Sequence, residues 1–95
     1  MATLHIEHSI TDLATWLSAF DHFREARQAA GVRATRVQQP VDRSDYVVID
    51  LDFDTSERAQ AFLDFLRTTV WATSDLSPAL VGAPSTTILE PVIST

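Results

Sequence analysis

Apolar and polar residues alternate over Thr3-Leu-His-Ile-Glu-His8. Leu4, Ile6 and His8 fall on one side of such a segment, and Thr3, His5 and Glu7 on the other. A period of two predicts a half-buried strand over 3–8. The period then changes. Leu13, Trp16, Leu17, Phe20 and Phe23 follow i, i+3, i+4, i+7 and i+10 spacing, one apolar stripe on a helix over 12–30. Ser9 or Thr11 is placed to cap its start, and Asp12 sits well against the positive helix end. Gly31 follows the last turn, where a left-handed cap costs Gly least.

Residues 32–39 predict a weaker strand, and 40–45 a charged turn. Residues 46–53 alternate again, with Val47, Ile49, Leu51 and Phe53 on one side. Tyr46, Val48, Asp50 and Asp52 occupy the other side. The two runs read as a hairpin. Asp54-Thr-Ser-Glu57 has the spacing of a capping box. The helix it opens carries Ala59, Phe62, Leu63, Leu66 and Val70 on one face and ends near Trp71. Residues 72–85 predict a long loop with a short helical turn at 77–81. Residues 86–92 predict a closing strand, whose Pro91 suits an edge or an end.

The order strand, helix, strand, strand, helix, strand predicts an α+β, ferredoxin-like βαββαβ domain over 1–95. Right-handed crossovers place both helices on one face of a four-stranded antiparallel sheet, in strand order 4-1-3-2. Leu4, Ile6, Val47, Ile49, Leu51 and Phe53 then meet Trp16, Phe20, Phe62 and Leu66 to form the core. The other sheet face is mostly polar, which suits either solvent or a second subunit stacked on it.

Composition narrows the chemistry. A 95-residue chain of this class buries only roughly 60–65% of its unfolded surface, so a partner's added burial would matter. The net charge of −6 repels phosphate backbones and disfavours nucleic acid. No basic amphipathic face and no long apolar run point to a membrane. No basic-then-apolar leader is read either, and the expected location is the cytoplasm. The chain has no Cys, hence no thiolate nucleophile and no disulfide. It has no Lys for a Schiff base and no Asn; its seven basic residues are all Arg. Gly31 and Gly82 stand alone, so no Gly-rich phosphate loop exists. No cofactor and no metal are expected.

Three patterns resemble a known group. They are Leu4-His-Ile-Glu-His8, Asp12-Leu-Ala-Thr-Trp16-Leu-Ser-Ala-Phe20-Asp21, and Tyr46-Val-Val-Ile-Asp-Leu-Asp-Phe-Asp54 before an acidic helix start. The chain looks like a small member of the dimeric α+β barrel superfamily, whose best-known branch is the antibiotic-biosynthesis monooxygenase domains. The resemblance implies a homodimer formed through the sheet face, enclosing a barrel. Haem-degrading members resemble each other in an Asn, a Trp and a His after the second helix. This chain has Trp71 but no Asn, and its His residues are His5, His8 and His22, which argues against that activity. Cofactor-free, quinone-forming members use Asn, Trp, Tyr and Arg. Trp71, Tyr46 and Arg36 are the counterparts the resemblance offers, and the Asn is missing.

The substrate-binding candidates are therefore Trp71, Trp16, Phe20, Tyr46 and Arg36. His8, at the core rim, and His5, beside Glu7, Asp50 and Asp52, are the catalytic candidates. The leading functional expectation is a small-molecule-binding homodimeric domain. It would act as a cofactor-free, monooxygenase-like oxidoreductase on an aromatic or quinone-like compound. One alternative is a non-catalytic dimerisation module. Another is a lyase or isomerase pairing a His with a carboxylate.

Overall fold

The computed structural model describes residues 1–93. Four strands form one antiparallel sheet: β1 (Ala2–Ile10), β2 (Ala34–Gln38), β3 (Tyr46–Phe53) and β4 (Leu80–Leu89). Their spatial order is β2-β3-β1-β4, the predicted 4-1-3-2 read from the opposite edge. The alternation seen in the sequence sets the faces. Burial along β1 and β3 switches at every residue, because successive side chains of a strand point to opposite sides. Leu4 pairs with Leu51, and Ile6 with Ile49. These residues, with Val47 and Phe53, are almost fully buried. Trp16, Ala59, Phe62, Leu63 and Leu66 complete the same cluster.

The first helical stretch is not the continuous helix of 12–30. It divides into α1 (Leu13–His22) and α2 (Arg24–Ala29). Phe23 between them leaves helical geometry, at φ −98° and ψ 17°. A side chain explains the break. The Phe20 carbonyl accepts from Phe23 N at 3.2 Å and from the Arg27 guanidinium. Inserting a side-chain donor into the backbone ladder is a known cause of helix kinks. Asp12, rather than Ser9 or Thr11, is the N-cap of α1, accepting from Thr15 N at 2.8 Å. Leu17, expected on the buried stripe, is exposed. Gly31 closes α2 as expected, at φ +87°. Its N–H reaches the Gln28 carbonyl and the Val32 N–H reaches the Arg27 carbonyl, the two bonds of a Schellman cap.

The second helical unit is α3 (Ser56–Phe65), followed by a π turn over Leu66–Val70. Thr55 is its N-cap, accepting from Arg58 N at 3.2 Å. The cap therefore lies one residue later than expected, and with Arg58 at the third position the capping box expected from Asp54 and Glu57 does not form. The π turn closes when Trp71 N donates to the Leu66 carbonyl at 2.7 Å. β4 starts at Leu80, six residues before the predicted strand, and Pro91 lies beyond its end. Glu7 pairs with Ser85 and Ser9 with Val81. Three residues of β4 therefore span His8 alone. Gly82, at φ +72°, makes the bulge possible, and Pro84, which has no N–H to give, sits within it. Of the short helical turn expected at 77–81, a single turn forms, closed by Leu80 N donating to the Ser77 carbonyl at 3.2 Å, and no helix follows it.

Candidate functional site

Two sets of chemically capable side chains lie on opposite faces of the sheet. The first surrounds a cavity of about 80 Å³ between sheet and helices. β1 supplies Ile6 and His8, α1 supplies Trp16 and Phe20, and the end of the π turn supplies Trp71. Leu76 and Ser77 of the following segment, and Arg27 of α2, also line it. The indole of Trp16 stacks on Phe20, with centroids 4.8 Å apart and planes at 20°. His8 lies at 6.1 Å from Trp16.

His8 is 5% exposed. Its Nδ1 donates to the Ser9 carbonyl at 3.0 Å. The neutral ring with Nδ1 protonated satisfies this contact and leaves the Nε2 lone pair as acceptor. Burial lowers the His8 pKa, partly offset by the Ser9 carbonyl. The ring is thus a neutral base in a largely apolar cavity, the protonation state that general-base chemistry requires.

Arg27 was not singled out in the sequence. A signal was there: it lies four residues beyond Phe23 and seven beyond Phe20, so it continues the apolar stripe with a cation. In the structure its guanidinium lies 3.7 Å over the Phe20 ring. Burial pushes its pKa down.

The second set covers the outer face. His5 Nδ1 is 2.7 Å from Asp50 Oδ1, and Nε2 is 2.8 Å from Glu7 Oε2. Carboxylates only accept, so both contacts are satisfied by an imidazolium donating from each nitrogen. The hydrogen bond with Glu7, then that with Asp50, raises the His5 pKa. Tyr46 OH donates to the other Glu7 oxygen at 2.8 Å. His5 and Tyr46 together hold the Glu7 carboxyl low, and Glu7 in turn raises the Tyr46 pKa. Arg36 stands opposite Asp50 in register but makes its two hydrogen bonds to Asp52, at 2.9 and 3.0 Å. Thr3 adds a third donor to Asp52 at 2.7 Å. No group of His and acidic side chains arranged to hold a metal occurs among the described residues.

The structure therefore brings together Trp16, Phe20, Trp71 and His8. It separates from them Tyr46, Arg36 and His5, which share the outer face. The five residues expected to bind one substrate do not line one site. Neither ring nitrogen of His5 is free to take a proton, whereas Nε2 of His8 is.

No protein-family model matches the chain, and no curated protein matches it in sequence. Solved structures do match. One is a Bordetella bronchiseptica protein provisionally assigned as an antibiotic biosynthesis monooxygenase. It has a TM-score of 0.73 at 12% identity, covering 97% of this chain and 98% of that one. A dimeric ferredoxin-like protein from an uncultured marine organism gives 0.71 at 12%, covering 100% and 98%. A monooxygenase of Streptomyces coelicolor in complex with nanaomycin D gives 0.69 at 14%, covering 99% and 89%. At such identities the likeness speaks to fold. With its helices on one face of a four-stranded antiparallel sheet, this chain has the ferredoxin-like α+β fold shared by these monooxygenase-like and dimeric proteins.

Proposed function

We propose that the chain is a self-associating, small-molecule-binding domain that works in the cytoplasm as a cofactor-free, monooxygenase-like oxidoreductase. The observation that carries this reading is the preformed cavity whose lining joins the aromatic side chains of Trp16, Phe20 and Trp71 to one neutral, buried imidazole. Trp16 and Trp71 supply aromatic surface for a ring, Phe20 is held between Trp16 and Arg27, and His8 supplies a base for its hydroxyl proton. The similarity to a monooxygenase solved with nanaomycin D supports an aromatic or quinone-like ligand. At about 80 Å³ the cavity is smaller than the roughly 150 Å³ that holds benzene. A ring therefore enters with one edge inside and the rest at the mouth.

A balanced reaction of this class converts a hydroxyarene to a quinone. For 1-naphthol, the ring supplies four electrons to O2, the C4–H becomes a carbonyl, and one oxygen leaves as water. His8 Nε2 takes the hydroxyl proton, making the ring electron-rich enough to meet O2, and returns it as water forms. Seating the hydroxyl proton beside a neutral base is the protein's contribution.

Self-association through the outer sheet face belongs to the same reading. Related folds are described as dimeric, and Val81 and Leu89 are exposed in pairing positions beside Ser9 and Thr3 of that face. Native mass spectrometry gives subunit number directly; a dimer is expected. Titration with 1-naphthol, followed by amide NMR, should shift Trp16, Phe20 and Trp71. Oxygen uptake should match naphthoquinone formation and fall in His8→Gln. Unmoved cavity amides at saturating naphthol would remove the cavity reading. Binding without oxygen uptake would leave a binding domain and remove the oxidoreductase. A monomer would remove the sheet-face dimer.

A further inference from the structure

The cavity is apolar but its rim carries one cation. Phe20, Phe23, Arg27, Trp71, Leu76 and Ser77 are among its half-exposed lining residues and come from the α1–α2 stretch and from the segment that starts at Trp71. The mouth lies between these two elements, and Arg27 stands in it. The guanidinium is fixed in place. It stacks on Phe20, and Nη1 donates to the Phe20 carbonyl. No ion pair to Arg27 forms among the described residues. Asp21, the acid whose charge acts on Arg27, is engaged by Arg24.

An arginine has five N–H donors, and those on Nε and Nη2 have no protein acceptor among the described residues. A half-buried cation without a counter-ion is costly to maintain in apolar surroundings. An anion reaching the mouth would relieve that cost. It would meet a pre-oriented planar fork of the kind that grips carboxylates with two parallel bonds. The aromatic surface of Phe20, Trp16 and Trp71 lies directly inside. A planar ring bearing one carboxylate matches both parts: the ring edge enters the cavity while the charge stays at the rim.

We infer that Arg27 selects the ligand, and that this ligand is an aromatic monocarboxylate whose ring enters between Trp16 and Trp71 and whose carboxylate pairs with the guanidinium. This rests on the cavity reading above and adds the charge of the ligand to it. It makes Arg27 a specificity-determining residue rather than only the side chain that kinks the helix.

The test compares benzoate with benzamide, which has nearly the same shape and no charge. Affinities for both come from amide NMR titrations of the intact chain at neutral pH, with Arg27→Gln and Arg27→Lys alongside. The wild type should bind benzoate about tenfold more tightly than benzamide, the size expected of one charge-assisted pair at a partly exposed site. In Arg27→Gln the ratio of benzoate to benzamide affinity should fall to about one. Arg27→Lys should retain part of the advantage, because the charge stays and the fork is lost. A purely structural arginine would change thermal stability without changing the ratio of the two affinities. Equal wild-type binding of the two probes overturns the anion selection and leaves the cavity reading standing. Binding of neither overturns both. An undiminished benzoate preference in Arg27→Gln overturns the role of Arg27. Should Arg27→Gln fail to fold, the wild-type ratio and Arg27→Lys decide, with an unchanged lysine ratio counting against the fork.

Discussion

Replacing Trp16 by Ala tests whether the cavity wall is also the core. Trp16 is 8% exposed, stacks on Phe20 and belongs to the buried cluster with Leu4, Ile49 and Phe62. A buried aromatic side chain removes about 200 Å² from water. At about 25 cal/mol per Å² this is worth about 5 kcal/mol as an upper bound. Residual compactness of the unfolded chain trims it to about 3–4 kcal/mol, within the roughly 3–5 kcal/mol found when buried aromatics become Ala. A chain of this length has a total stability of only about 5–14 kcal/mol. The substitution should therefore remove about a fifth of it or more. With a urea dependence of about 1 kcal/mol per M for a small domain, the unfolding midpoint should fall by about 3 M. Far-UV circular dichroism across a urea series reads the midpoint. Trp71→Ala is the comparison, because Trp71 is only half-buried and borders the mouth. It should cost well under half as much while weakening ligand binding. A Trp16→Ala midpoint within about 0.5 M of wild type would refute the placement of this indole against the sheet.

The two strand histidines should tilt the pH profile in opposite directions. Burial lowers the folded pKa of His8, so the unfolded chain takes a proton that the folded chain refuses as pH falls through about 6.5. Stability should drop there, and His8→Leu should flatten the acid limb. The partners of His5 raise its folded pKa. Its contribution is complete below about 6.5 and is lost as pH rises through the folded value, a loss absent from His5→Gln. Urea midpoints from pH 5 to 9 measure both limbs; a wild-type profile with neither slope would exclude both assignments. Gly31→Ala should cost about 1 kcal/mol, because φ +87° lies in the region that L side chains resist. The added Cβ would also stand 2.8 Å from Arg58 Nη1, a flexible contact that can yield. An unchanged melting temperature would mean the Schellman cap is not held.

Residues on the two central strands were legible because period-two patterning is a local property. Leu4, Ile6, Val47, Ile49 and Leu51 needed nothing but alternation to be assigned to the core. The same alternation already put Tyr46 on the face away from Trp16, and grouping the two in one substrate site ran against it. Gly31 was equally readable, since a left-handed residue after a helix is a matter of local sterics. By contrast, the first helical stretch contains no Gly or Pro at its break. Phe23 leaves the helix because Arg27 reaches back to a carbonyl of an earlier turn, a contact no periodicity encodes.

The sequence by itself determined the order of elements, the two faces of the sheet and the chemistries that lack the residues to run. Those follow from side-chain direction and from composition, neither of which depends on distant partners. Only the tertiary structure decided which polar groups meet. Arg36 engages Asp52 rather than its cross-strand neighbour Asp50, and His5 is locked between Glu7 and Asp50. The bulge at Gly82 lengthens β4, and the π turn sets the position from which Trp71 reaches the mouth where Arg27 waits. Arg36 with Asp52, His5 with Asp50, and Trp71 with Arg27 are angstrom-level juxtapositions of segments far apart in the chain, and such juxtaposition is fixed by packing rather than by local pattern.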